Sequence, residues 1–172
     1  MGRKFRGEHT FKVDTKGRVS VPAPFRRVIE AGDPDYTDGL RPQFILVYGG
    51  EEQNYLEGYT LEEAQRLEDK INRLPSSPLK RKLIFENITQ SHDAEIDPDG
   101  RLVLPARLRD KIGLDKEVVF MGNMATFRIW STEAYAQHKR KEEQESDLGF
   151  GIPEGTELLD ALDMALEKQG GD

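Results

Sequence analysis

Apolar and polar residues alternate with period two in two short stretches near the head of the chain. Phe11 and Val13 flank Lys12, and Val19 and Val21 flank Ser20. Such alternation of aromatic and β-branched residues with polar ones predicts half-buried strands. Asp14-Thr15-Lys16-Gly17 connects them. An Asp at the first turn position accepts from a backbone N–H two residues on, and a Gly at the fourth takes φ > 0, so the pair is expected to close as a type I hairpin with a bulge. The period then changes. In Pro22-Ala23-Pro24-Phe25-Arg26-Arg27-Val28-Ile29, residues Phe25, Val28 and Ile29 fall at i, i+3 and i+4. That spacing predicts a short helix with Arg26 and Arg27 off its apolar face, and Pro24 is tolerated in the first turn. Residues 32–42 are rich in breakers and read as a loop. Residues 44–48 read as a buried strand and 55–59 as its return.

The pattern is then written a second time. Val13-Asp14-Thr15-Lys16-Gly17-Arg18-Val19-Ser20-Val21-Pro22 returns as Ile96-Asp97-Pro98-Asp99-Gly100-Arg101-Leu102-Val103-Leu104-Pro105, at a constant offset of 83. At the same offset His92 follows His9, Ile88 follows Phe5, Leu108 and Ile112 follow Phe25 and Ile29, and Arg109 follows Arg26. A self-match of this kind means that one small unit is built twice. Pro98 makes the second turn the plainer one, because it sets φ at the second turn position. Gly113 ends the second short helix, and residues 118–122 and 127–130 read as its two strands.

Between the copies, Thr60 with Glu63 forms a capping box. Leu61, Ala64, Leu67, Ile71 and Leu74 trace a helical stripe that Pro75 stops. Pro78 opens a second helix, from Leu79 to about Asn87, to make an αα-hairpin. After the second copy, Ser131 can N-cap a helix from Thr132 to about Glu145, with Trp130 and Tyr135 as a hydrophobic staple. Gly149, Gly151, Pro153 and Gly155 read as a linker, and Leu158, Leu162, Ala165 and Leu166 as a last amphipathic helix. The expected divisions are 5–58 and 88–130 for the two units, 59–87 for the helical hairpin, 131–146 for the C-terminal helix, and 147–172 for an acidic, mobile tail.

Composition changes this picture mainly through charge. The 172 residues are 36% hydrophobic and 33% charged, too apolar for a disordered chain. No cysteine is present, which excludes disulfides and thiolate metal sites. No run reaches the about 18 apolar residues of a membrane span, and the N-terminus lacks the apolar core of a secretory signal. The formal net charge of −7 argues against a nucleic-acid partner, but its distribution argues for one. Residues 1–30 hold Arg3, Lys4, Arg6, Lys12, Lys16, Arg18, Arg26 and Arg27 against Glu8, Asp14 and Glu30, whereas residues 142–172 hold ten carboxylates against Lys168. A basic head on an acidic chain is a sign of a local nucleic-acid surface.

Other chemistries fit less well. Residues 95–100 superficially follow the start of a calcium-binding EF-hand loop, but the twelfth position falls on Ala106, where a bidentate Glu is needed. His9, His92 and His138 lack metal-ligand spacing, and the shared slot of the first two points to a structural role. No phosphate loop or nucleophile elbow is present, so neither an enzyme nor a cofactor is expected. The arginine closing each turn is different. Arg grips phosphate in a fork and reads guanine O6 and N7 in the major groove, while lysines mostly add attraction to phosphate. Arg3, Arg6, Lys12, Lys16, Arg18 and Arg101 are therefore the candidate DNA contacts. For Arg101 the competing role is an ion pair with a repeat aspartate, since Asp93, Glu95, Asp97, Asp99 and Asp110 surround it in sequence.

Phe5-Arg6-Gly7, then Asp14-x-x-Gly17-Arg18 leading to Val21-Pro22, then Arg27, then Asp97-x-x-Gly100-Arg101 leading to Leu104-Pro105, and finally Phe127-x-Ile129-Trp130, resemble the MraZ family over residues 5–145. The resemblance implies an α+β fold of the AbrB/SpoVT type, in which two tandem swapped-hairpin units form one compact pseudo-dimeric barrel with flanking helices. It implies a cytoplasmic, nucleoid-associated transcriptional regulator of bacteria. Such a protein binds G-rich direct repeats of double-stranded DNA in the promoter of the division and cell-wall gene cluster that includes its own gene, and represses it. It further implies homo-oligomeric rings of about eight or more subunits, in which weak contacts to successive repeats combine through effective concentration. The family's motif falls on Asp14, Gly17 and Arg18, and again on Asp97, Gly100 and Arg101. The alternative is an oligomeric protein-interaction scaffold whose basic head docks an acidic partner. The chain departs from the family in its residues before Phe5, its long loop at 31–43 and its acidic extension after 146.

Deleting residues 147–172 is expected to leave the fold intact, with an unchanged cooperative melt by circular dichroism; a truncated chain that is unfolded at 25 °C would refute the division.

Overall fold

The computed structural model describes residues 4–170. The elements follow in the order β1 (Glu8–Lys12), β2 (Arg18–Ser20), α1 (Ala23–Ala31), β3 (Gln43–Val47), β4 (Tyr55–Thr60), α2 (Leu61–Asn72), α3 (Pro78–Ile84), β5 (Ser91–Glu95), β6 (Arg101–Val103), α4 (Ala106–Lys111), β7 (Glu117–Asn123), β8 (Thr126–Ser131), α5 (Thr132–Gln144) and α6 (Leu158–Gly170). The fold is α+β. Residues Met1–Tyr135 form one unit and Ala136–Asp172 a second.

Both turns close, but the strands on either side of them part. Gly17 N donates to Asp14 O at 3.0 Å and Asp14 N to Arg18 O at 3.0 Å, after which β1 and β2 go separate ways. β1 pairs antiparallel with β7 of the second repeat, and β5 pairs with β3 of the first. β2 and β6 pair only with each other. The hairpin expected at each turn is thus replaced by pairing between repeats. Strands in sequence neighbourhood lose to partners across the molecule, because β3 and β7 offer longer apolar edges than a three-residue strand does.

All six remaining strands form one antiparallel sheet, in the order β1-β7-β8-β4-β3-β5. It is not the expected closed barrel. The sheet ends at β1 and β5, with no ladder joining them among the described residues. The strands that would have to bridge that gap, β2 and β6, are three residues each and are spent on one another.

One face of the sheet carries the core. Phe127 on β8 is its hub: its ring lies 4.9 Å from Phe5, 5.5 Å from Phe25 on α1, 6.1 Å from Phe44 on β3 and 6.1 Å from Phe120 on β7. All five rings are buried. Gly58 on β4 leaves room for this ring, since a Cβ there would run into Phe127. The helical stripe on α1 works as its spacing requires, with Phe25, Val28 and Ile29 buried. The repeat correspondence fails at its first position. Phe5 is buried, whereas its mate Ile88 is 38% exposed, because it lies in a π-helical turn that continues α3 over Phe85–Thr89.

The caps form where the sequence puts them. Thr60 Oγ1 accepts from Glu63 N at 3.1 Å, Ser131 Oγ from Ala134 N at 3.1 Å, and the Trp130 ring lies tilted to that of Tyr135 at 6.2 Å. In α2 the stripe runs one turn less far than expected: the helix ends at Asn72, before Leu74. The second unit, taken by itself, holds α6, whose Leu158, Leu159, Leu162 and Leu166 are exposed.

Phe127→Ala is expected to cost about 3–5 kcal/mol of stability, the usual figure for losing a buried aromatic, measured by denaturant unfolding followed through the fluorescence of Trp130.

Candidate nucleic-acid interface

The two repeated motifs meet in the β2–β6 ribbon. Each begins with an aspartate whose carboxylate organises the turn behind it. Asp14 Oδ1 accepts from the N–H of Lys16 at 3.0 Å and of Arg18 at 2.9 Å, and Asp14 Oδ2 accepts from Arg18 Nε at 2.6 Å. In the second copy Asp97 Oδ1 accepts from the N–H of Asp99 and of Arg101, both at 2.9 Å. Arg101 Nε lies 3.5 Å from Asp97 Oδ2, and its Nη2 donates to Asp99 Oδ2 at 3.1 Å. Aspartate suits this position because one carboxylate on a short stem can satisfy two turn N–H groups and still face the arginine.

Glycine is required at the fourth position of both turns. Gly17 and Gly100 have φ of 84° and 77°, in the left-handed region. Space is short as well: a Cβ at Gly17 would meet the carbonyl oxygen of Leu104, and one at Gly100 the guanidinium of Arg26. The reason is that each glycine carbonyl is bonded to the other repeat. Leu104 N donates to Gly17 O at 2.8 Å, and Val21 N to Gly100 O at 3.0 Å.

Between these clasps the ribbon pairs Arg18 with Val103, Val19 with Leu102 and Ser20 with Arg101. Side chains directly opposite share a face. Val19 and Leu102 turn into the core and are 1% exposed. Arg18, Ser20, Arg101 and Val103 therefore share the outer face. Arg18 and Arg101 are diagonal neighbours there, about 7–8 Å apart along such a ladder. Their side chains keep 38% and 33% exposure.

The remaining candidates divide. Lys16 lies exposed on the first turn, and Lys12 is exposed at the end of β1, four residues before it and opposite Glu117 of β7. Arg6 does not join them. It precedes β1, whose five residues span about 16 Å of extended chain. Arg3 lies outside the described residues. Two cations that sequence reasoning left without a role do join the ribbon. Arg109 Nε donates to Leu104 O at 3.0 Å and lies beside Gly17, while its repeat mate Arg26 lies against Gly100. Their match at the repeat offset was the available signal, since a charged residue that recurs with the turn is apt to serve the turn. Arg27 is exposed on α1. His9 packs edge-on to Phe25 at 5.3 Å, and His92 is held below its ordinary pKa by burial and then by Arg107.

Electrostatics follow the hydrogen bonds. Asp14 is held below its ordinary pKa chiefly by the N–H of Arg18; desolvation opposes this, and the Arg18 guanidinium and the Lys16 N–H add to the lowering. At Asp97 desolvation pushes the other way, but the N–H groups of Arg101 and Asp99 and the charge of Arg101 outweigh it. The carboxylates that a calcium loop would need are thus engaged, and among the described residues no cluster of metal-ligating side chains forms. None of the described helices is long and apolar enough to cross a membrane.

The family model described as MraZ protein matches residues 4–85 and 88–148. The chain is also similar to three curated proteins that carry the name Transcriptional regulator MraZ. It is 45% identical over 166 residues to that of Ruegeria sp. (strain TM1040), covering 96% of this chain and 98% of the relative. Identity is 43% over 171 residues with that of Cereibacter sphaeroides (strain ATCC 17029 / ATH 2.4.9), covering 95% and 98%. It is 34% over 168 residues with that of Parvibaculum lavamentivorans, covering 97% and 96%.

A carboxyl whose folded pKa is depressed adds stability that is present above its unfolded value and lost as pH falls through the folded one. Asp14 and Asp97 are expected to titrate below 3.8 in the folded protein, with stability falling as they protonate; side-chain carboxyl carbon shifts by NMR measure this directly, and ordinary midpoints would refute the turn assignment.

Proposed function

The chain belongs to the MraZ family, and on that premise we propose that it is a sequence-specific DNA-binding transcriptional regulator. It binds G-rich direct repeats in the promoter of the division and cell-wall gene cluster that includes its own gene, and represses transcription there. It acts as a homo-oligomeric ring in the cytoplasm, at the nucleoid, without enzymatic activity or a cofactor. Each repeat, spanning 5–58 and 88–130, is a swapped-hairpin unit of the AbrB/SpoVT type.

The observation that carries this reading is the outer face of the β2–β6 ribbon, where Arg18 and Arg101 stand on a diagonal across a buried Val19–Leu102 pair. A two-stranded β-ribbon fits the major groove, and a guanidinium there matches guanine O6 and N7. Asp14 engages Arg18 through Nε. That contact uses Nε and orients the side chain with its two Nη groups left as donors, so less rotamer freedom is lost on binding. Lys12 and Lys16 border the ribbon and serve phosphates, which adds affinity without sequence preference. Chemically similar arginines on both turns suit a small basic patch that gains strength by repetition round a ring.

A salt-dependent gel shift on DNA upstream of the protein's own gene is the test. Arg18→Ala is expected to abolish binding to the repeats while size-exclusion chromatography shows the oligomer unchanged. Arg101→Ala is expected to cost less. Lys16→Ala is expected to weaken binding to all sequences alike and lower the salt slope by about 1. Normal binding by Arg18→Ala would refute the assignment of the site.

A further inference from the structure

The ribbon is two-fold in its backbone but not in its chemistry. Arg18 and Arg101 are repeat mates, as are Lys16 and Asp99, and Ser20 and Val103. Because β2 and β6 run antiparallel, these differences sort to opposite ends. At one end lie Lys16 on the turn, Arg18, and Val103 opposite it. At the other lie Asp99 on the turn, Arg101, and Ser20 opposite it. The first turn sets one aspartate against a lysine and an arginine; the second sets two aspartates against one arginine.

The ion-pair geometry differs in the same way. Arg18 faces a single carboxylate, through Nε alone at 2.6 Å. Arg101 faces two: Asp97 lies 3.5 Å from Nε, and Asp99 takes Nη2 at 3.1 Å. Asp99 therefore occupies part of the fork that would grip a guanine edge, and its own charge repels phosphate. Val103 is 50% exposed on the outer face, an apolar side chain with no part in the core. Set beside Arg18, it can pack on a thymine methyl, the one apolar group in the major groove.

Resting on the DNA-binding reading above, we propose that this polarity fixes the direction in which each subunit reads its site. The end formed by Lys16, Arg18 and Val103 takes the sequence-bearing step, a guanine with an adjacent thymine methyl. The end formed by Asp99, Arg101 and Ser20 is held off phosphate and contributes little. A ribbon symmetric in chemistry as well as backbone would seat on a repeat in both orientations with equal affinity, as two-fold readers do on palindromes. A polar ribbon seats in one, which is what like-oriented subunits on direct repeats require. Asp99 and Val103 are then specificity-determining residues, even though neither belongs to the repeated Asp-x-x-Gly-Arg motif.

The chain has no cysteine, so Thr15→Cys on the exposed first turn gives a single attachment point for an iron–EDTA cleavage probe. The DNA is a short duplex carrying one repeat, chosen by footprinting upstream of the protein's own gene. The labelled full-length protein is expected to cut on one side of the repeat, about fivefold or more over the other, the least that one good base contact discriminates. The cut should change sides when the repeat is inverted. Adding Asp99→Lys and Val103→Ser, which gives both ends the same Lys, Arg and Ser, is expected to produce equal cutting on both sides. Equal cutting by the chain with its own Asp99 and Val103, or one-sided cutting by a folded symmetrised chain, overturns the proposal. The first comparison decides the matter even if the symmetrised chain does not fold. Failure of the unlabelled protein to shift the duplex at all would instead overturn the DNA-binding reading itself.

Discussion

Two backbone hydrogen bonds cross between the repeats at their turns, from Leu104 N to Gly17 O and from Val21 N to Gly100 O. Everything around the ribbon depends on them. Each needs its glycine in the left-handed region, with no Cβ in the space where the other repeat's chain passes. Each also ends a strand: β2 and β6 stop after three residues because the next N–H is already committed to the opposite turn. A buried backbone group must find a partner, and here each repeat supplies what the other lacks. Neither copy of the motif can hold this shape alone.

The same economy places two arginines on one outward face of a chain of net charge −7. The aspartates of the motif do not merely neutralise its arginines. Their Oδ1 oxygens are taken up by turn N–H groups, two in each copy, which keeps the carboxylates ionised and holds them to the turn. Arg26 and Arg109 add positive charge from the helices behind, each lying against the other repeat's turn. A preorganised arginine on a short, doubly clasped ribbon loses little freedom when it meets a ligand, and that links the turn chemistry to recognition.

The aromatic core serves the ribbon indirectly. Phe127 gathers Phe5, Phe25, Phe44 and Phe120 from both repeats on one face of the sheet, which fixes α1 against that sheet. Since α1 follows directly from β2, its position sets where the strand ends. The pairings of β1 with β7 and of β5 with β3 tie the other ends of the same turns to the opposite repeat. The ribbon is thus held from both sides by strands of mixed origin.

Local signals determined most of the elements. Period-two and period-3.6 patterns placed the strands and α1, Thr60 and Ser131 marked their helices, and the repeat at offset 83 identified the two turns with their aspartates, glycines and arginines, because each of these features is chemistry within a few residues. What the sequence left open was partnership. Strand alternation is the same whether β1 pairs with β2 or with β7, so the expected hairpins and closed barrel gave way to pairing between repeats and an open sheet. Likewise, the repeat match showed that Arg26 and Arg109 correspond, but only the tertiary structure put each against the glycine of the other turn. The antiparallel register then sorted Lys16 and Val103 to one end of the ribbon and Asp99 and Ser20 to the other. No local pattern encodes that arrangement, because it arises where two distant segments meet.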